Sequence, residues 1–198
     1  MTRKVVIVVV KKVQYRTNKI NFREKEDDKE LRIEGYFVVY DDETMLWDGV
    51  YEKIDRHAFD GELEKDIRAL IGHDMEKVLG RTKNNTLTLK SDDKGLWGSI
   101  LINIDDPEAL SLYQKVKRGD VDKCSFGFIP TDEECTERSN GSLFTVKKCN
   151  LIEVSVVAFP AYENTSISAR KKDFEKKREE FRKSKLKEKL NEIKNLNA

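Results

Sequence analysis

Short segments rich in β-branched and aromatic residues recur along most of the chain, and they constrain the fold more than any other feature. Branched and aromatic side chains fit a pleated, half-buried surface, so this composition predicts strands. The segments are IEGYFVVY (33–40), LTLK (87–90), LWGSILINI (96–104), CSFGFI (124–129) and LIEVSVVAF (151–159).

Two segments between these strands have helical character, residues 58–70 and residues 106–117. The second starts with Asp106 at a capping position and Pro107 just inside, which is typical of the start of a short helix. The order of strands and helices lacks the regular alternation of a doubly wound sheet. We therefore predict an α+β fold, with a barrel-like, mostly antiparallel β core and helices that cover it.

The 198 residues are enough for one domain with tails. Residues 5–10 are apolar and β-branched, which predicts a strand, and the polar stretch 14–30 predicts an exposed connection, so 1–30 precede the domain. The domain is expected over 31–169. Residues 170–198 are rich in Lys and Glu without Gly or Pro, which predicts a charged helical tail.

Composition removes several classes of function. Lys and Arg (38) nearly balance Asp and Glu (37), so charge gives no support for a nucleic-acid binder. The apolar run 5–10 is too short for a membrane span or a secretion signal. Three cysteines without a C-x-x-C pair and two histidines without H-E-x-x-H spacing predict no metal site and no cofactor. The odd number of cysteines fits a reducing compartment such as the cytoplasm.

The chain has two histidines, His57 and His73, so few residues can serve as a general base. Ser125 lies in an aromatic strand, Cys124-Ser125-Phe126-Gly127-Phe128. Judged locally, such a serine is a core residue whose hydroxyl bonds to the backbone. Gly127, however, would allow close approach of another backbone, as a peptide-binding site requires.

Glu153 is an acid inside an otherwise almost wholly apolar segment. Burying an unpaired carboxylate costs several kcal/mol, so Glu153 is expected to have a partner nearby. Alternation also permits another interpretation, in which Glu153, Ser155 and Val157 occupy a solvated face of the strand.

Several motifs, taken in order, resemble those of the tailed-phage prohead proteases. The resemblance runs from about residue 31 to residue 169, and the spacing and order of the motifs together make it specific. The matching segments are Ile33-Glu34-Gly35-Tyr36, residues 54–59, His73-Asp74, Leu79-Gly80-Arg81, Gly95-Leu96, residues 116–120, Ser125-Phe126-Gly127-Phe128 and residues 153–162. Arg56-His57 stand where that family often has Pro-Gly before Ala-Phe.

The resemblance implies a serine endopeptidase with a fold distantly related to the herpesvirus assemblin proteases. It implies His73 as the base, Ser125 as the nucleophile and Glu153 as the acid that orients the base. Such an enzyme cleaves the scaffold and the major capsid precursor, and itself, inside the procapsid in the cytoplasm of the bacterial host, where it self-associates. No nucleic acid and no membrane is implied.

Three alternatives stay open. Asp74 competes with Glu153 for the role of the acid, although a residue adjacent to the base seldom reaches its far ring nitrogen. Cys124 could be a thiol nucleophile, but adjacent strand residues point to opposite faces, so Cys124 and Ser125 cannot both face His73. A scaffolding protein without catalytic activity is a third alternative, for which the charged tail is the best feature.

Overall fold

The computed structural model describes residues 13–19, 23–27 and 30–159, together with positions 176, 179, 180, 183, 186 and 187 of the tail. The six tail positions are helical. The strand predicted over 5–10 and most of the predicted tail helix lie outside the described residues. No helix in the described part of the chain is long and apolar enough to cross a membrane.

The larger sheet has seven strands and is organised around one long hairpin. Its strands are β1 (Gln14–Lys19), β4 (Thr44–Trp47), β5 (Val50–Ile54), β6 (Arg68–Ile71), β7 (Asp74–Arg81), β10 (Lys123–Arg138) and β11 (Gly141–Val157). Strands β10 and β11 form the hairpin, and β1 pairs antiparallel with the outer edge of β10. The first half of β11 pairs in parallel with β5, and its last part pairs in parallel with β6.

The smaller sheet has four antiparallel strands in the order β2 (Arg23–Asp27), β3 (Glu30–Val39), β9 (Gly95–Leu101) and β8 (Leu87–Ser91). A short 3-10 turn, Thr82–Asn84, leads from β7 into this sheet. One α-helix, α1 (Pro107–Arg118), connects β9 to β10. Asp106 caps it by accepting a hydrogen bond from the Glu108 backbone N–H, and Gly119 ends it in the left-handed conformation, so the start and stop predicted for this helix are confirmed.

The main core consists of side chains from both sheets and from α1. Alternate residues of the β10–β11 hairpin point into it, namely Cys124, Phe126, Phe128, Val154 and Val156. Phe37 of β3 and Tyr113 of α1 are among the largest fully buried side chains of the same core. Burying these apolar surfaces is the main force that holds the sheets together.

The described strands form two sheets and no closed barrel, so the barrel-like arrangement that we expected is not confirmed. The sheets are mostly antiparallel, as predicted, and α1 is the single α-helix within the described residues 30–159.

The helix predicted over 58–70 is wrong. The chain instead makes successive tight turns up to residue 65 and then enters β6. Gly61 has a φ of +77°, a left-handed conformation that interrupts a helix. The turns bury Phe59 and Glu62, whose carboxylate accepts a hydrogen bond from the Leu151 backbone N–H at 3.0 Å.

The polar segment 14–30 is not the exposed connection that its composition predicts, because it contains β1 and β2. Pairing with β10 and β3 satisfies the backbone groups of these strands. Arg16 of β1 is buried, and Nε and Nη2 of its guanidinium donate to the two oxygens of the buried Glu52 carboxylate of β5. This ion pair lets a polar strand dock on the sheet without leaving a charge unpaired.

Candidate active site

His73 occupies a two-residue turn between β6 and β7. Gly72 and His73 have φ values of +62° and +67°, and Ile71 pairs with Asp74 across the turn, as in a type I′ hairpin. The turn is attached to β11, because the Gly72 N–H donates to the Val156 carbonyl at 3.0 Å. The sequence Leu70-Ile71-Gly72-His73-Asp74 is therefore the tip of a hairpin and not the end of a helix.

The imidazole of His73 is bonded to the carboxylate of Glu153. Nδ1 of His73 lies 2.9 Å from Oε1 of Glu153, whose side chain is 3% exposed. An ionised carboxylate can only accept hydrogen bonds, so Nδ1 donates and Nε2 of the neutral ring is left as the acceptor. Nε2 is buried and has no hydrogen-bond partner among the described residues. The partner that we expected for a carboxylate in this apolar strand is therefore His73.

Tyr15 of β1 covers the imidazole from the other side. The two ring centroids are 4.3 Å apart, with the planes inclined by 56°. Together with Glu153, this contact fixes the position and tilt of the His73 ring.

Ser125 lies on the same face of the β10–β11 hairpin as Glu153. It faces Ser155 directly, whereas Gly127 faces Glu153, so Ser125 is a diagonal neighbour of the carboxylate. The Ser125 side chain is fully buried, and its hydroxyl donates to the main-chain carbonyl of Arg16 at 2.8 Å. The structure thus bonds His73 to Glu153, and it shows the Ser125 hydroxyl bonded to β1 and not to the imidazole.

Gly127 makes room for this arrangement. A Cβ atom at this position would lie 2.7 Å from Oε1 of Glu153 and 2.9 Å from the Tyr15 ring. We expected Gly127 to admit a substrate backbone, but the space is occupied by the side chains that hold His73.

Ser155 belongs to the same cluster and was not selected by sequence reasoning as a functional residue. Its hydroxyl donates to Oε2 of Glu153 at 2.5 Å and accepts from the His73 backbone N–H at 3.2 Å. Glu153, Ser155 and Val157 do share one face of β11, but all three are buried, so the solvated face that alternation allowed is wrong. Their two-residue spacing is the signal that could have placed Ser155 beside Glu153.

The other candidates lie elsewhere. The His57 side chain is 70% exposed and contacts Asp60 at 3.2 Å. Asp74 is exposed, and its carboxylate accepts from the Glu76 backbone N–H at 3.0 Å. Of the two acids considered, Glu153 is the one bonded to the imidazole.

Cys124 points away from His73, into the main core. Its Sγ lies 3.1 Å from the Tyr36 carbonyl of β3, in the smaller sheet. Cys124 and Ser125 therefore face opposite sides of β10, as strand alternation predicts. In the described part of the chain, no group of three or more His, Cys, Asp or Glu side chains is arranged to hold a metal ion.

A serine, a histidine and a carboxylate assembled by a fold are the groups that serine hydrolases use. Residues 18–180 match the family model of the caudovirus prohead serine proteases, and the chain belongs to that family. It is thus a protease of phage capsid maturation.

No curated protein matches the chain significantly. Among solved structures, the chain is similar to the capsid assembly protease gp21 of bacteriophage T4, with 11% sequence identity and a TM-score of 0.47. That similarity covers 75% of this chain and 98% of the T4 chain. The family assignment depends on the sequence match alone.

Proposed function

We propose that the chain is a serine endopeptidase in which Ser125 is the nucleophile, His73 the general base and Glu153 the acid that orients the base. The observation that carries this proposal is the hydrogen bond between His73 and Glu153, on the hairpin face that also carries Ser125. A bond of this kind sets the tautomer in which Nε2 can take a proton from a hydroxyl.

The resting hydroxyl of Ser125 must change partner for catalysis. It donates to the Arg16 carbonyl, while Nε2 of His73 is an acceptor without a partner among the described residues. For the reaction, rotation about the Cα–Cβ bond of Ser125 must transfer its hydrogen bond from this carbonyl to Nε2. Catalytic hydrogen bonds are often long or misaligned before substrate binds and shorten in the Michaelis complex.

The reaction then follows the chemistry of acyl transfer. Oγ of Ser125 attacks the carbonyl carbon of the scissile peptide bond, and its proton passes to Nε2 of His73. The imidazolium, held by Glu153, donates that proton to the nitrogen of the leaving amine as the C–N bond breaks. A water molecule, deprotonated by His73, hydrolyses the acyl-enzyme and regenerates the Ser125 hydroxyl.

We infer that the substrates are the scaffold and the major capsid precursor, and that the enzyme also cleaves itself. Family membership supports capsid proteins as substrates. This assignment puts the enzyme inside the procapsid, assembled in the cytoplasm of the bacterial host, where self-association would concentrate it on its substrates.

Processing of the capsid precursor tests the proposed function. Ser125→Ala and His73→Ala are each co-expressed with the precursor, and the mass of the capsid subunit is measured. Both variants should leave the precursor at full length, because nucleophile and base act as a unit and losing either removes most of the covalent pathway. Circular dichroism confirms that each variant is folded.

His57→Ala is the matched control, because it removes the other histidine from an exposed position that does not contact the cluster. Cys124→Ala is the control for the neighbouring thiol. Precursor cut to the mature mass by Ser125→Ala would contradict the assignment of the nucleophile. Precursor left uncut by Cys124→Ala but cut by Ser125→Ala would assign the chemistry to the thiol.

A further inference from the structure

Ser155 contacts both His73 and Glu153. It lies on β11 directly opposite Ser125, and it is fully buried. Its hydroxyl has two bonds, to Oε2 of Glu153 at 2.5 Å and to the backbone N–H of His73 at 3.2 Å.

The direction of both hydrogen bonds is fixed by chemistry. A backbone N–H can only donate, so Oγ of Ser155 accepts from His73. The single hydroxyl hydrogen is then available for the carboxylate, which accepts it on Oε2. Each oxygen of Glu153 therefore has its own donor, Nδ1 of His73 on Oε1 and Ser155 on Oε2.

The bond to the His73 backbone acts at a strained position. His73 has a φ of +67°, in the left-handed region that few residues other than glycine adopt without cost. A buried acceptor for its N–H favours this conformation and ties the turn to β11. The same hydroxyl thus holds the carboxylate and the backbone from which the imidazole projects.

We propose that Ser155 is a positioning residue that fixes Glu153 and the His73 turn relative to each other, so that Nε2 stays directed toward Ser125. It acts through these two residues and does not touch the substrate. The inference rests on the proposed function, because it assigns Ser155 a role only if His73 and Glu153 serve the nucleophile.

A fluorophosphonate probe tests this role without knowledge of the cleavage sequence. Attack by Oγ of Ser125 forms a P–O bond and expels fluoride, and His73 accepts the hydroxyl proton. The labelling rate at saturating probe and the probe concentration for half-maximal rate are measured separately. The proteins are wild type, Ser155→Ala, Ser155→Thr and Ser125→Ala.

Ser155→Ala should label about 10–100-fold more slowly at saturation, the cost of slight misplacement of catalytic groups, with the half-saturating concentration within about twofold of wild type. A slower maximal rate at nearly unchanged probe binding is the result expected of a residue that positions the catalytic groups without touching the probe.

Ser155→Thr keeps the hydroxyl and should restore most of the rate. Ser99→Ala is the matched control for folding, since Ser99 is a buried serine that donates to the Glu34 carboxylate in the smaller sheet, at 2.8 Å. A merely structural loss would reduce the fraction of protein that is labelled and would leave the labelling rate of the folded molecules unchanged.

Two outcomes separate the inference from the proposed function. If Ser155→Ala labels at the wild-type rate while Ser125→Ala does not label, the positioning role is wrong and the triad stands. If Ser155→Ala abolishes labelling and Ser125→Ala does not, Ser155 itself is the nucleophile and both proposals are overturned.

Discussion

Around Ser125 and Glu153, the two faces of the β10–β11 hairpin are both buried but are built from different residues. One face presents Cys124, Phe126 and Val154 to the main core, and the other presents Ser125 and Glu153, all less than 3% exposed. On the apolar face, burial itself supplies the stabilisation. On the polar face, each buried group is costly unless a specific partner satisfies it, so its geometry is set by hydrogen bonds. The comparison predicts that substitutions on one face change stability, whereas substitutions on the other change turnover.

The largest expected effect is on the polar face, for Glu153→Gln. Its amide can donate to Nδ1 of His73 and so favour the wrong tautomer, which lowers turnover about 10⁴-fold in comparable triads. Labelling kinetics with a fluorophosphonate measure the loss. Glu62→Gln, which changes a buried acid bonded to a backbone N–H outside the cluster, is the control and should retain its labelling rate. A loss of only a few fold would make Glu153 a structural acid.

The next effect is on the apolar face, for Phe126→Ala. The Phe126 ring packs against Phe59 and Phe128 with centroid separations of 6.0 and 4.9 Å. Removing it should lower the free energy of unfolding by about 3–5 kcal/mol, as for other buried aromatic residues. Urea denaturation measures this change, and the labelling rate per folded molecule should remain within a few fold. A large loss of labelling rate with an unchanged free energy of unfolding would contradict the distinction between the apolar and the polar face.

A smaller effect is expected for Gly127→Ala, where the polar face leaves no room for a side chain. The added methyl would displace Glu153 or Tyr15 from His73, so labelling should slow about 100-fold. Gly98→Ala is the matched control, because its methyl would lie 2.5 Å from the Phe37 ring in the smaller sheet. It should lower the midpoint of thermal unfolding without slowing the labelling of folded protein. Equal labelling rates for the two variants would contradict the role assigned to Gly127.

The smallest effect should come from alkylation of the cysteines. Burial raises the pKa of the Cys149 thiol to about 12, and Cys124 is fully buried in the same core. Little Cys149 thiolate therefore exists at pH 8, and burial keeps the reagent from Cys124, so iodoacetamide should leave precursor processing unchanged. Mass spectrometry of the native protein measures the extent of modification. Loss of processing in proportion to the modification of Cys124 would support Cys124 as the nucleophile.

Local composition predicted α1 and the strands that are rich in β-branched and aromatic residues, because the residues that indicate these elements lie within a few positions of one another. It could not predict β1, whose polar residues become strand only through partners far along the chain, the β10 backbone and Glu52. It also gave a helix for 58–70, where the positive φ of Gly61 and the burial of Phe59 and Glu62 determine a series of turns. Tertiary contacts override helix propensity in that segment.

The order of motifs led to His73, Ser125 and Glu153, and the apolar setting of Glu153 predicted a buried partner. Ser155 and Tyr15 were missed for different reasons. Ser155 could have been found from its spacing to Glu153, whereas the approach of Tyr15 to His73 depends on the register between β1 and β10, which no local pattern contains.

The acceptor that holds the Ser125 hydroxyl is a carbonyl of the main chain, and every amino acid at position 16 would carry the same oxygen. Sequence drift at that position therefore cannot remove this acceptor as long as β1 keeps its alignment with β10. A one-residue shift in the register between β1 and β10, in contrast, would move every β1 side chain to the other face of the sheet. The resting state of the serine is thus sensitive to insertions or deletions within β1 and to changes that release β1 from the sheet, such as loss of the Arg16–Glu52 ion pair.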